Sequence, residues 1–472
     1  MSSTMNSSIP SFSDDGSDET SRMRARPKRK KKKFEFRTRN HLITRFLHFL
    51  SRWWIVLVFL LAIFVLGFEV SRIGKKIGDD PKLKPKLELK PKRNNHGYGR
   101  EIESTSNLGR LDMPTRIVNG TREPCLKILP LEEVQHMEFP SDTETNSFVK
   151  KVVYKSDKNE GIQNTPAQLY KEGSRFNAFT GYQSLLEREK SFKVKETVMV
   201  QCGFYSENGG FEISDADKDF MQSCKAVVST CAFGGGDDLY QPIGMSQASL
   251  RKVCYVAFWD EITRATQEAE GRRIGEDNMI GKWRVLVVKN LPFTDQRLNG
   301  KIPKMLSHRL FPQARYSIWV DSKSQFRRDP IGVLEALLWR TNYSLAISEH
   351  GARSSIYDEG KAVVKKHKAT PEEVELQLAQ YRRDGFPEFK RFRGKKALAE
   401  ASVIVREHTP LTNLLMCHWF NEVIRFTSRD QLSFPYVLRR LNALKINMFP
   451  VCTRKALVNS VGHRRKVKPL VI

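Results

Sequence analysis

The sequence predicts an α/β domain with a largely parallel central sheet, and three observations carry that expectation. Short β-rich runs alternate with stretches of helical periodicity along the 472-residue chain. Several runs, such as WRVLVVKNL at 283–291, are apolar at consecutive positions, as strands covered on both faces are. The connections between runs are long enough to hold crossover helices, and no fixed-period repeat points to a solenoid.

The elements follow in order. The first 52 residues are Ser- and Asp-rich and then strongly basic, which predicts a disordered cytosolic tail. An apolar run, WWIVLVFLLAIFVLGF, begins at Trp53, and 53–70 reads as a transmembrane signal anchor, with an alternative start near 46. Charge on the two flanks is nearly balanced, but the dense cluster RPKRKKKKFEFRTR at 26–39 favours a cytosolic N-terminus and a lumenal body. Residues 71–109 contain PKLKPKLELKPKR, an extended basic stem. The two flanks carry much of the formal charge of +27, so the high pI is weak support for nucleic-acid binding, and no nucleic-acid partner is expected.

A lumenal domain is expected over 110–466, with 467–472 as a terminal tail. Its strands are expected at 197–205, 225–233, 252–259, 283–291, 316–321 and 343–350, and its helices at 212–223, 303–310, 329–340, 371–383, 410–425 and 430–442. Asp329 followed by Pro330 reads as the cap and first turn of one helix. All 7 cysteines follow the apolar run, which fits an oxidising compartment, and their odd number leaves at least one unpaired within the chain. The sequons at Asn119 and Asn342 are usable only if the body is lumenal.

Four stretches concentrate polar groups at element edges. In CAFGGGDDLYQP, Gly234, Gly235 and Gly236 can bring backbone N–H groups to an anion beside Asp237 and Asp238, although an ordinary turn is the competing reading. In RYSIWVDSKSQF, Asp321 ends an apolar strand and Lys323 follows; the acid can meet a cation or ribose and the lysine a phosphate, or Asp321 can pair with Arg327 or Arg328 in a turn. In TSRDQLSF, Asp430 stands at a helix start as a candidate base or a helix cap, whereas His418 fits a packed helix face. The terminal HRRKVK sets His463, a candidate metal ligand, beside Arg464 and Lys466, which suit a diphosphate; a solvated tail is the alternative. HExxH, GxSxG and CxxC are absent, so the sequence shows no zinc-protease, serine-hydrolase or thioredoxin-type signature.

WVDSK (319–323), SEHGARSSIYDEG (348–360), REHTP (406–410), WFNEVIRFTSRDQLSFPYV (419–437), FPVC (449–452) and GHRRK (462–466) resemble the plant glycosyltransferase-like family of mucilage-related and turgor-regulation-defect proteins. The resemblance implies a GT-A-like nucleotide-sugar transferase domain in a single-pass type II Golgi membrane protein. It also implies a hexosyltransferase activity, with a nucleotide sugar as donor and a cell-wall or other glycan as acceptor. A homo-oligomer or a partner glycosyltransferase is the assembly expected. By the same resemblance Asp321 is the first acid of a D-x-D signature, Asp430 the catalytic acidic position and His463 the late metal ligand, with Mn²⁺ as the ion. Lys323 stands where the second acid would be, and a cation cannot ligate a metal, so either Asp321 and His463 hold the ion with waters and diphosphate oxygens, the favoured reading, or Lys323 and the terminal basic residues take over its electrostatic role. Ceramide hydrolysis, described for a related member, is the alternative activity, and a non-catalytic glycan-binding or scaffold role is the alternative class.

Overall fold

The computed structural model describes residues 107–465, except 142–146, 156–174, 178, 182, 204–210, 389–390, 393–394 and 443. These residues belong to one compact unit. Its centre is an eight-stranded sheet. In chain order the strands are β1 (Ala226–Ala232), β2 (Cys254–Asp260), β3 (Met279–Ile280), β4 (Trp283–Val288), β5 (Tyr316–Val320), β6 (Leu345–Glu349), β7 (Ala399–Glu407) and β8 (Asn447–Phe449). Across the sheet they run β8-β6-β7-β5-β1-β2-β4-β3.

The expected largely parallel sheet is corrected to a mixed one. β5, β1, β2 and β4 are parallel neighbours, but β7 lies antiparallel between β5 and β6, and β3 is antiparallel to β4. The cause is local: the long excursion after β6 carries the helices Ile356–Lys365 and Pro371–Arg383, and the chain then re-enters through ALAEASVIVRE beside β5 in the opposite sense. The run expected at 197–205 is a strand at Thr197–Val200, but it pairs with Lys151–Tyr154 outside the main sheet.

Alternation along the strands explains their apolar runs. Val227, Val256, Phe258, Leu286, Trp319, Ile347 and Ile404 face one core, packed with Leu414, Trp419 and Phe434 from the helices Pro410–Arg425 and Asp430–Leu441. Val228, Tyr255, Ala257, Trp259, Val285, Ile318 and Val405 face the other, packed with Val333 and Leu334 of the helix Pro330–Leu334. Each large side chain so buried contributes roughly 1.5–3 kcal/mol. Asp329 caps that last helix as expected, its Oδ1 accepting from the Ile331 and Gly332 N–H groups.

The single-pass type II Golgi membrane topology is also corrected. Among the described residues no helix is long and apolar enough to cross a membrane. The anchor expected at 53–70, the tail before it and the stem at 71–109, up to residue 106, lie outside the described residues. The membrane assignment therefore finds nothing in the described structure to rest on. Asn119 and Asn342 are both exposed. Asn119 opens the two-residue Asn-Gly turn joining Thr115–Val118 to Thr121–Pro124, with φ of 47° there and 82° at Gly120, the left-handed pair such a turn requires.

Candidate active site at the strand ends

From β1 the chain adds β2 and then β4 on one side, and afterwards crosses back to lay β5 on the other side of β1. The point where the winding reverses lies between β1 and β5, and ligands of open α/β sheets bind beyond the strand carboxyl ends at such a point. There the loop Phe233–Asp238 leaves β1 and the segment Asp321–Lys323 leaves β5.

Asp321 ends β5 half-buried, its Oδ1 accepting from the Trp319 indole N–H at 2.8 Å and from Lys304 Nζ at 3.2 Å. Lys304, on the helix Lys301–Met305, also lies 2.9 Å from Asp430 Oδ2, and Lys301 donates to the same oxygen at 2.7 Å. One buried ammonium is thus shared between a strand end and a helix start 109 residues apart in sequence (430 minus 321). Burial opposes charge on all these groups, but it is outweighed at three of them. Asp321 is lowered by Lys304 and then Lys323, Asp430 is held well below the carboxylate range by Lys301 and Lys304, and Lys304 is raised by Asp321 and Asp430. For Lys301 burial prevails and lowers the ammonium.

Asp430 is not a cap: Arg429 occupies that position, without a side-chain cap bond, and the Asp430 carboxylate points to the lysines. Lys323 is half-buried, and its ammonium has no hydrogen-bond or ion-pair partner among the described residues. Its backbone carbonyl accepts from Val461 and Gly462, which binds the C-terminal segment to the end of β5.

That segment reaches the β1 loop. His463 Nδ1 lies 2.7 Å from Asp237 Oδ2, the Arg464 N–H donates to Asp237 Oδ1 at 2.9 Å, and Ser322 Oγ donates to Asp237 Oδ2 at 3.0 Å. Asp238 receives Arg464 at 2.6 Å and Arg465 at 2.7 Å; these pairs outweigh burial and lower its carboxyl. Gly234 and Gly235, both at positive φ, give their N–H groups to Asp260 Oδ2 and Thr263 Oγ1. These two N–H groups thus fasten the loop to the start of the helix Glu261–Ala269, and only Gly236 keeps the expected anion-facing option. A cavity of about 10 Å³ lined in part by Asp238, Tyr240 and Ser322 separates the loops, room for about one water.

The expected residues are therefore brought together by relays. Asp430 meets Asp321 through Lys304, and Asp237 links Ser322, the neighbour of Asp321, to His463. Lys466 lies outside the described residues. Sequence reading missed Lys301, Lys304 and Asp260. In NGKIPKM the lysines look like a solvated helix face, and only the fold sets them against acids.

Among the described residues one group of three side chains can hold a metal ion: Cys202, His308 and Cys417, all buried, with ligand atoms within 4.8 Å of one another. In this structure Cys202 and Cys417 form a disulfide, so the sulfurs can serve as ligands only after reduction. The other disulfides are Cys125–Cys452 and Cys224–Cys254, and Cys231 is the free cysteine, its thiol pushed up by burial and then by Asp321.

This α/β domain, with its charged site at the strand reversal, matches the TOD1/MUCI70 glycosyltransferase-like domain over residues 162–463, and the chain belongs to that family. It is 39% identical over 297 residues to the Arabidopsis thaliana protein named "Probable hexosyltransferase MUCI70", covering 61% of this chain and 51% of that one. It is 30% identical over 279 residues to "Alkaline ceramidase TOD1" of the same plant, covering 57% of this chain and 60% of that one. The chain thus spans between half and two-thirds of the length of these relatives. Among solved structures, mouse xyloside xylosyltransferase 1 is 11% identical with a TM-score of 0.29, covering 47% of this chain and 84% of its own. The bifunctional glycosyltransferase WbbM is 12% identical with a TM-score of 0.27, covering 56% and 44%. At these scores neither defines the fold.

Proposed function

We propose that this chain transfers a hexose from a nucleotide-sugar donor to a glycan acceptor, using fixed ammonium groups at the strand reversal. The observation that carries the reading is Lys304 shared between Asp321 and Asp430, with the unpaired Lys323 ammonium beside them. The cavity between the loops is too small for a nucleotide, so the donor diphosphate lies across its rim, near Lys323 and Arg464. An acceptor hydroxyl oxygen bonds to the anomeric carbon while the bond from that carbon to the diphosphate oxygen breaks. The nucleoside diphosphate leaves with the electron pair, and the hydroxyl proton passes to its departing oxygen. Positive charge fixed where the leaving group gathers negative charge lowers the barrier.

Mn²⁺ is the ion that the resemblance brings to Asp321 and His463, and these residues as placed do not fit it. Among the described residues no group of three possible ligands includes Asp321 or His463, Asp321 Oδ1 holds Lys304 and Trp319, and Lys323 supplies no ligand. No step is assigned to a metal. Asp430 is a poor base in this setting, because a carboxylate held ionised by two lysines has little affinity for a proton. Its role is to position Lys301 and Lys304.

The second reading is ceramide hydrolysis, favoured by the relative named as a ceramidase. One assay separates the two. The chain is incubated with a nucleotide-sugar panel, glycan acceptors and ceramide, with and without Mn²⁺, and products are weighed by mass spectrometry. A hexose mass added to an acceptor, at a rate Mn²⁺ does not change, is the expected result. Fatty-acid release without sugar addition would replace the proposal with the hydrolase.

A further inference from the structure

A feature that this reading leaves unused is a cleft of about 580 Å³ at the other end of the parallel strands. It lies where β1 and β2 begin, whereas Asp237 and Asp321 follow the ends of β1 and β5. Its volume falls within the range of about 300–1,000 Å³ typical of small-ligand sites. Lys225, Arg251, Lys252, Lys282 and Arg284 line it, against the single carboxylate of Glu138.

Three of these cations have work within the fold: Lys252 donates to Glu138 and to the Met137 carbonyl, Lys282 to the Pro242 carbonyl, and Arg284 pairs with Asp217 and lies over the Phe220 ring at 4.4 Å. Lys225 and Arg251 are exposed and have no side-chain partner among the described residues. Tyr255, 5% exposed, closes the floor of the cleft. The Cys224–Cys254 disulfide ties the entrances of β1 and β2 together, so the lining is held rigid.

We propose that this cleft binds an anionic oligosaccharide, carboxylated or sulfated, as a site separate from the candidate active site. Spaced cations meet the repeated charges of such a chain, and the half-buried Phe139 ring supplies an apolar face against which a pyranose ring packs. A concave lining suits a narrow chain better than it suits a lipid surface. The site concerns binding alone, so it stands or falls independently of the transfer reaction.

The test is calorimetric titration of the full chain with a tetrameric uronate, a sulfated tetrasaccharide and neutral cellotetraose, with inorganic phosphate and anionic vesicles as competitors. Saturable binding of one charged tetrasaccharide per chain, weakened by salt and not seen with cellotetraose, is expected; which of the two charged chains binds identifies the anionic group. The double variant Lys225→Glu/Arg251→Glu should weaken it about tenfold or more. Lys361→Glu/Lys365→Glu, on an exposed helix face and with the same change in charge, should leave it unchanged. Equal loss in both variants, equal binding of cellotetraose, full displacement by millimolar phosphate or by vesicles, or no binding at all would each overturn the proposal.

Discussion

Lys304 is 5% exposed and faces two carboxylates, an arrangement that stabilises only while all three groups are present. Replacing it with Met takes from Asp321 its ion-pair partner and leaves Asp430 with Lys301 alone, and breaking a buried pair in this way costs about 3–5 kcal/mol. If the ammonium also fixes the site, Lys304→Met should lower kcat for sugar transfer by about a hundredfold. Lys304→Arg should recover part of that loss. Asp430→Asn acts through the same lysine, so the double variant should be scarcely slower than the worse single one. Rates that multiply, or a Lys304→Met enzyme with wild-type kcat, would dissociate the two residues. The acids were legible in the sequence because a carboxylate at a strand end or helix start is conspicuous. Their lysines were not, since a lysine's partner across the fold leaves no trace in the residues beside it.

Legibility at the scale of elements follows the same division between local and distant causes. The helices Pro371–Arg383 and Pro410–Arg425 begin and end where the sequence predicts, because each opens on a threonine cap and a proline. β7 was not foreseen: small residues and the charged Glu400 and Arg406 dilute its apolar signal, and the direction of a strand is not written in its composition. His418 shows how the helices are coupled. It is 2% exposed, stacks on Phe192 at 4.3 Å between ring centroids, and hydrogen-bonds the Ser191 backbone, which joins Leu185–Ser191 to Pro410–Arg425. Burial lowers its pKa to about 3, against about 6.5 in an unfolded chain. The unfolded state therefore binds a proton first as pH falls, and the contribution of neutral His418, complete above about pH 6.5, is lost progressively down to about pH 3 at roughly 1.4 kcal/mol per pH unit. Denaturation midpoints measured from pH 7 to 4 should show a shallower fall in His418→Phe than in the unaltered chain. Parallel curves would mean that His418 titrates alike in both states.

At the scale of the molecule, the C-terminal segment is tied back to the site by a cross-link remote from it. Cys125 and Cys452 are 327 residues apart, and the bond holds the helix Val451–Leu457 in place. From that helix the chain runs into the strand Val458–Ser460, which pairs antiparallel with Ser324–Phe326 just beyond Asp321, and then into His463 and Arg464 on the β1 loop. Closing so long a loop removes much unfolded-chain entropy, up to about 5 kcal/mol in the loop-closure account. Cys125→Ser/Cys452→Ser should therefore lower Tm by several degrees. Its second effect distinguishes a positional role from a merely stabilising one. If the bond also sets Arg464 at the rim, the donor KM should rise several-fold at a temperature where the variant is still folded, while the acceptor KM stays fixed. Cys224→Ser/Cys254→Ser, which breaks a disulfide at the opposite end of the strands, serves as the control and should leave the donor KM unchanged. A lower Tm with an unchanged donor KM would show that the three-element path from Cys452 to Arg464 carries stability only, and that the tail keeps its place through its own pairs with Asp237 and Asp238.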